Sequence, residues 1–299
     1  MSEIRKVPAT AGAEWLLTGF TLLRRAPLAL GSLGMTWGLI AMVAYAASLL
    51  APAVGLAIQF LMALAGPIFL GGMLWAVREV DEGRPARPSH LLHGLQEGRA
   101  PHLLMALVPQ LVAGLLLGVL LLALIGTGGW QHLTDVTVQI NALSQSGAQP
   151  DQEQIRALAE QLPAGRILLW LGLVIVTLAA VSLALFVMAP QVMFDHTTGT
   201  HALRESLRAT LRNLPALLVF FLMAFVALFA IYFAVMLVVL LLALVVGVNA
   251  AMFVAQLLLM AVLMPVFAGA VYAAWKQMFA HADAVSPPLA GGRDDIFVA

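Results

Sequence analysis

One apolar stretch decides the fold of this chain: residues 214–275 read LPALLVFFLMAFVALFAIYFAVMLVVLLLALVVGVNAAMFVAQLLLMAVLMPVFAGAVYAAW. The stretch contains no Lys, Arg, Asp, Glu or His. A helix that crosses the ~30 Å hydrocarbon layer of a bilayer needs about 20 residues, so a stretch of this length predicts two crossings. We expect the turn between them at Gly247, Val248 and Asn249.

Three more charge-free runs extend this pattern toward the N-terminus, at residues 28–77, 103–126 and 167–194. Together the runs predict an all-α, polytopic membrane protein with six transmembrane helices. The predicted spans are 28–50, 53–77, 103–126, 167–194, 214–246 and 250–275.

The composition of the whole chain agrees with a membrane protein. Hydrophobic residues make up 62% and charged residues 10%, whereas a soluble domain carries about 25% charged residues. The runs are continuously apolar rather than alternating, which excludes a transmembrane β-barrel. A net charge of zero gives nucleic-acid binding no electrostatic support. Because the chain has no cysteine, thiolate metal sites and cysteine nucleophiles are excluded, and we expect no cofactor.

The basic residues predict the orientation of the spans. Only Arg156 and Arg166 fall on one side of the predicted topology, and every other Lys and Arg falls on the opposite side. The positive-inside rule then places both termini in the cytoplasm of a bacterial cell, with the protein in the inner membrane. Trp75 and Trp275 fall at inner ends of spans, where an aromatic belt is expected.

A short sequence unit recurs three times along the chain. Arg25-Ala26-Pro27 and Arg99-Ala100-Pro101 precede the first and third spans, and Arg212 stands before Pro215 at the fifth. An amphipathic segment precedes each; in the third, leucines and arginines occupy neighbouring helical faces. We therefore expect three parallel two-span repeats, each beginning with an interfacial amphipathic helix, at about 15–80, 90–195 and 202–278.

Prolines inside the even-numbered spans predict helix kinks, because each proline removes a backbone hydrogen bond. These prolines are Pro67, Pro190 and Pro265. The repeats form a single predicted membrane domain, residues 1–281, with a flexible tail at 282–299. The middle repeat carries an extracytoplasmic insertion at 127–165, which we interpret as a lid, a docking element or a hairpin over the outer surface.

These features carry a family resemblance. The Arg-x-Pro motif at Arg25 and Pro27, the segment 67–79, and Ala189-Pro190 with the stretch 202–212 resemble YciC-like six-span inner-membrane proteins of bacteria. The chain is also similar to the membrane domain attached to some glycerophosphodiester phosphodiesterases. The resemblance implies a six-span fold and carries over no catalytic residue, so it does not imply phospholipid hydrolysis.

Arginines at the predicted inner headgroup level suggest what the protein does. A guanidinium group matches phosphate geometry, and a basic residue near anionic headgroups gains about 1 kcal/mol. The pattern predicts a non-enzymatic protein that engages membrane lipids, or a membrane protein partner, with the oligomeric state left open. The candidate headgroup residues are Arg24, Arg25, Arg99, Arg204, Arg208 and Arg212.

Two other functions stay open on the sequence alone. The kinked repeats could form a passive or lipid-type transporter, although no Asp, Glu or His lies within a span to couple transport to an ion. Gln59, Gln110 and Gln256 then either line a polar cavity or, as we predict, hydrogen-bond between helices. A cytoplasmic metal-binding enzyme is the remaining hypothesis. Its candidate ligands, chosen by helical spacing, are His90, His93, His201 and Glu205.

Overall fold

The computed structural model of the chain describes residues 4–50, 52–146 and 164–279. Every regular element in this part of the chain is helical, which confirms the predicted all-α class. A 3₁₀ turn at Pro88–Leu92 lies between the third and fourth α-helices. The α-helices are α1 (Ala11–Arg25), α2 (Pro27–Leu50), α3 (Pro52–Asp81), α4 (His93–Gln96), α5 (Ala100–Leu104), α6 (Leu107–Ser146), α7 (Ala164–Leu185), α8 (Met188–Phe194), α9 (Gly199–Arg212), α10 (Leu214–Val246) and α11 (Val248–Met278).

Six helical segments in the described residues are long and apolar enough to cross a membrane. This number confirms the six predicted spans. The segments are Pro27–Leu49, Ala53–Asp81, Ala100–Gly126, Ala164–Phe194, Leu214–Val246 and Val248–Met278.

Glycine and proline determine where the long helices begin and end. Pro27 opens α2, and Pro215 lies in the first turn of α10, where its missing N–H needs no partner. Gly247 alone separates α10 from α11 and has φ +82°, a conformation that favours glycine. The predicted three-residue turn is therefore too long, because Val248 and Asn249 already belong to α11.

The first part of the predicted insertion differs from a loop. The backbone of Gly126 leaves helical geometry, with φ +65°, at the predicted end of the third span. The helix then resumes and continues to Ser146, so residues 127–146 are helical. The rest of the insertion up to residue 163, and the predicted tail at 282–299, lie outside the described residues.

The three span prolines have different surroundings. Pro67 and Pro265 lie inside the continuous helices α3 and α11, and the kinks predicted there stay predictions. Near Pro190 the helix is interrupted, because α7 ends at Leu185 and α8 begins at Met188, with Pro190 as its third residue. The Val187 N–H freed at this break donates to the Ser206 hydroxyl at 3.2 Å.

The described helices divide into two compact units, and the single membrane domain stays a prediction. Residues 105–184, which include α6 and most of α7, form one unit, and the remaining residues form the other. In the smaller unit α7 has no buried residue, and Trp170 donates its indole N–H to the Leu117 carbonyl at 2.9 Å. Arg166 donates to the Leu124 carbonyl at 3.0 Å, close to the break at Gly126.

The core of the larger unit is built around α1. Trp15 is completely buried, and its indole N–H donates to Gln277 Oε1 at 2.8 Å. Close approach of backbones requires glycine in α1, because a Cβ on Gly12 would lie 2.0 Å from the Ala216 carbonyl oxygen. A Cβ on Gly19 would likewise clash with α11. One face of this amphipathic helix is therefore packed tightly against α10 and α11.

The helices at the two ends of the larger unit follow the same order. A short amphipathic helix, one linking residue and two long helices occur as α1 to α3, and again as α9 to α11. The linking residues after the short helices are Ala26 and Asn213. This order is compatible with the predicted repeats, and the threefold repeat itself stays a prediction.

Candidate functional site

Charged side chains gather where α1, α3 and α11 of the larger unit end, and we call this region the polar end. Asp81, at the end of α3, accepts hydrogen bonds from Lys276 Nζ at 2.9 Å and from the Tyr272 hydroxyl at 3.2 Å. Arg25, from the last turn of α1, lies 3.6 Å from the other Asp81 oxygen. These side chains are partly exposed, so each ion pair contributes at most about 1 kcal/mol. Their clearer effect is to connect the ends of three helices.

Four charged side chains at the end of α3 and just after it neutralise one another. Arg84 contacts Glu79 at 2.5 Å and also pairs with Glu82, which in turn accepts from Arg78 Nε at 2.7 Å. Partial burial raises the pKa of Glu82, but the hydrogen bonds from Arg78 and Arg84 outweigh burial and leave the pKa below its ordinary value. Hydrogen bonds to Glu79 and Glu82 raise the pKa of Arg84. The positive charges of Arg78 and Arg84 are therefore matched by carboxylates of the same segment.

Aromatic rings fill the interior next to the polar end. Trp275 is only 5% exposed and donates its indole N–H to Asp195 at 2.9 Å. The Arg78 guanidinium lies 5.4 Å from the Trp75 ring and 5.2 Å from the Phe194 ring, within the range of cation–π attraction. The predicted place of Trp275 in a lipid-facing aromatic belt is therefore wrong. Its N–H has a carboxylate partner inside the protein, which removes the need for an interfacial position.

The six predicted headgroup arginines fall into two groups. Three of them have partners within the protein: Arg25 pairs with Asp81, Arg208 with Glu205 at 3.0 Å, and Arg99 with the ring and carbonyl of His196. The other three make no hydrogen bond or ion pair among the described residues and are exposed. These three are Arg24, Arg204 and Arg212.

The surroundings of α9 explain why its arginines face outward. Its buried face consists of small or polar residues, including Ala202, Ser206 and Ala209, which pack against the rest of the unit. Leu207 and Leu211 are 37% and 55% exposed on the outer side of the same helix. An outer surface of leucine and arginine is typical of a helix at a membrane interface, with arginine among headgroups.

The predicted metal ligands do not form one cluster. Within the described residues no group of three or more His, Asp or Glu side chains could hold a metal ion. His93 stacks on Trp75 and contacts Glu97 at 3.2 Å, and the backbone N–H of Arg87 donates to His90 at 3.2 Å. Burial lowers the pKa of His90 below its ordinary value.

The other predicted pair of metal ligands, His201 and Glu205 on α9, does not form a metal site among the described residues either. Glu205 is buried and binds Arg208, whereas His201 is exposed. The spacing of one turn is present, but the carboxylate already has a partner in the helix. The metal hypothesis therefore stays a prediction without a cluster to support it.

A lateral cavity of about 710 Å³ lies between α2 and α11. Its lining is mainly apolar, with polar side chains from Tyr45, Asn249 and Gln256. None of these three side chains has a hydrogen-bond partner among the described residues. Gln59 and Gln110 are likewise exposed and without hydrogen bonds in that part of the chain. The interhelical bonds predicted for the three glutamines are therefore not observed there.

The sequence analysis missed the segment that precedes α1. The Val7 N–H donates to Asn213 Oδ1 at 2.8 Å, and Asn213 Nδ2 donates to the Arg5 carbonyl at 3.0 Å. The Arg5 N–H donates to the Met278 carbonyl at 2.8 Å. We call residues 4–8 the N-terminal strap, because these bonds hold it against the start of α10 and the end of α11. The only signal in the sequence was an asparagine between an amphipathic segment and an apolar one.

The fold and this polar end define the class of protein. Six long apolar helices with charges at their ends make it a multi-pass α-helical integral membrane protein. The chain matches no family model, no curated protein and no solved structure. The resemblance to YciC-like proteins accordingly stays a prediction.

Proposed function

We propose that this protein is a non-enzymatic, multi-pass protein of the bacterial inner membrane that binds anionic lipid headgroups through the outer surface of α9. The observation that carries the proposal is the pair Arg204 and Arg212, exposed and without partners among the described residues, on the same helix as the exposed Leu207 and Leu211. In an interfacial helix the leucines would contact acyl chains while the guanidinium groups reach phosphates.

The surrounding charges support a surface suited to anions. Each such arginine near anionic headgroups gains about 1 kcal/mol, and neither Arg204 nor Arg212 has a carboxylate partner to lose first within the described part of the chain. Arg208, between them on the helix, is held by Glu205 and contributes less. In the proposed topology both termini and α9 lie on the cytoplasmic side, where anionic lipids give the leaflet its negative surface potential.

The test compares lipid affinities of the delipidated full chain in a neutral detergent. Phosphatidylglycerol and phosphatidylcholine are titrated separately into the wild type and into Arg204→Gln/Arg212→Gln, and binding is read by native mass spectrometry. We expect the wild type to prefer phosphatidylglycerol and the variant to lose that preference. The matched control, Arg78→Gln/Arg84→Gln, removes the same charge from arginines that carboxylates already neutralise, and should keep the preference. An unchanged preference in the α9 variant refutes the proposal.

A second candidate is a passive or lipid-type transporter, which the lateral cavity between α2 and α11 favours. A cavity with polar atoms in an apolar wall could take an amphipathic ligand from the bilayer. In reconstituted vesicles the wild type should speed the transfer of a fluorescent phospholipid between leaflets. Met252→Trp, which fills the cavity, should block the transfer, whereas Leu111→Trp on an exposed surface outside it should not. A rate equal to that of protein-free vesicles removes this candidate.

A further inference from the structure

A polar cavity of about 560 Å³ lies at the polar end, separate from α9. This open cavity is bordered by the N-terminal strap, by α1, and by the ends of α3 and α11. The ionisable side chains that line it are those of Arg5, Lys6, Glu14, Asp81, Tyr272 and Lys276.

The charges in this cavity are only partly compensated by one another. Asp81 already binds Lys276 and Tyr272, and it also lies close to Arg25. By contrast, the side chains of Arg5 and Lys6 have no hydrogen bond or ion pair in the part of the chain that is described. Two adjacent positive charges therefore border the cavity without a partner.

The strap holds these two charges in place. The backbone is hydrogen-bonded at each end of this pair of residues: the Arg5 N–H donates to the Met278 carbonyl, and the Val7 N–H donates to Asn213 Oδ1. Asn213 is itself 1% exposed, so the attachment point is part of the core. Because the backbone is already ordered, a ligand would not have to order it on binding, which favours affinity.

The chemistry of the lining points to phosphate. A guanidinium and an ammonium that border one cavity provide several charge-assisted donors, which suit the oxygens of a phosphate group. Among the described residues the Glu14 carboxylate accepts one long hydrogen bond, from Gln277 at 3.4 Å, which leaves acceptor capacity for a ligand. A hydroxyl or ammonium group on the same ligand could donate to it. The ends of the long helices α3 and α11 place the cavity at the level of a membrane interface.

We propose that this cavity is a binding site for a phosphate-bearing ligand, either a phospholipid headgroup or a free phosphate compound. Arg5 and Lys6 hold the phosphate, and Glu14 accepts a hydrogen bond from the remainder of the ligand. This site shares no residue with the α9 surface, and it does not depend on the function proposed for that surface.

The test uses isothermal titration calorimetry of the delipidated full chain in neutral detergent. One arm titrates inorganic phosphate, and the other titrates a short-chain phosphatidylglycerol. The variant is Arg5→Gln/Lys6→Gln, and the control is Arg84→Gln/Arg87→Gln, which removes equal charge from a loop outside the cavity. We expect the variant to bind at least about tenfold more weakly, since a hydrogen bond to a charged group contributes that much or more.

The two arms identify the source of the phosphate and the outcomes are decisive. Binding in the phosphate arm that the variant loses supports a site for free phosphate compounds, and a loss confined to the lipid arm supports a headgroup site. Absence of binding to the wild type in both arms, equal affinity in the wild type and the Arg5→Gln/Lys6→Gln variant, or an equal loss in the control overturns the proposal. Arg204→Gln/Arg212→Gln should retain the phosphate-arm binding, which separates this site from α9.

Discussion

Replacement of Asn213 by Ala should release the N-terminal strap while the long helices stay folded. Asn213 makes two hydrogen bonds to the strap, with the Val7 N–H and the Arg5 carbonyl, and a third to the Ala209 carbonyl at 3.0 Å. Among the described residues the strap would then keep two backbone bonds, from the Arg5 N–H to the Met278 carbonyl at 2.8 Å and from the Ala11 N–H to the Pro8 carbonyl at 3.1 Å. One buried side chain therefore supplies two of the hydrogen bonds that hold the strap.

The size of the effect follows from those bonds. A hydrogen bond between neutral groups contributes about 0.5–1.5 kcal/mol net, so the two strap bonds together contribute about 1–3 kcal/mol. Since every 1.4 kcal/mol changes an equilibrium constant about tenfold, local opening of the strap should become roughly five- to 150-fold more frequent. The third bond adds to the loss of global stability without affecting the strap.

Amide hydrogen exchange of the full chain in detergent measures this opening directly. We expect faster exchange across residues 4–8 in Asn213→Ala, with little change in the middle of α10. Asn249→Ala is the matched control, because that asparagine is exposed and has no hydrogen bond among the described residues. Unchanged exchange of the Val7 amide in Asn213→Ala would refute the assignment of the strap contacts.

Three further predictions concern stability, each read as thermal unfolding in detergent. Gly19→Ala should destabilise the protein by about 1–3 kcal/mol through overpacking, because the new Cβ would lie 2.2 Å from the Val266 carbonyl oxygen, whereas Gly114→Ala has open space. Gly247→Ala should cost about 1–3 kcal/mol, since φ +82° strains any residue with a Cβ. Burial lowers the His90 pKa in the folded protein, so the unfolded chain binds more protons and the stability of the fold should decrease as the pH drops below 6.5. The variant His90→Gln should weaken this pH dependence. An unchanged pH profile of the melting temperature in the variant would contradict the prediction.

The long apolar segments could be predicted from sequence because the constraint on them is one-dimensional. Each backbone polar group in hydrocarbon needs a partner within its own segment, so length and apolar character alone predict a helix. The predicted length of the turn at Gly247 was too long, because a single glycine with positive φ can separate two helices. Boundaries of this kind depend on backbone conformation, which residue types indicate only loosely.

The partners of the arginines could not be predicted in the same way. Sequence position put Arg25, Arg99 and Arg204 into one class of headgroup ligands, and yet Asp81 and His196 occupy the first two. Those partners are distant along the chain and become neighbours only through packing. A count of arginines at one predicted level therefore overstates the positive charge that is available to a ligand.

Packing also changes which helices need the membrane interface. Amphipathic pattern alone treats α1 and α9 alike, but Gly12 and Gly19 let α1 fit closely against α10 and α11. On α9 the small residues face the protein, and leucine and arginine remain outside. Small residues therefore mark the protein-facing side of both helices, and large apolar residues alone do not. On this reasoning α9, rather than α1, is the helix with the larger free surface for lipid, which is why the proposed function rests on its arginines.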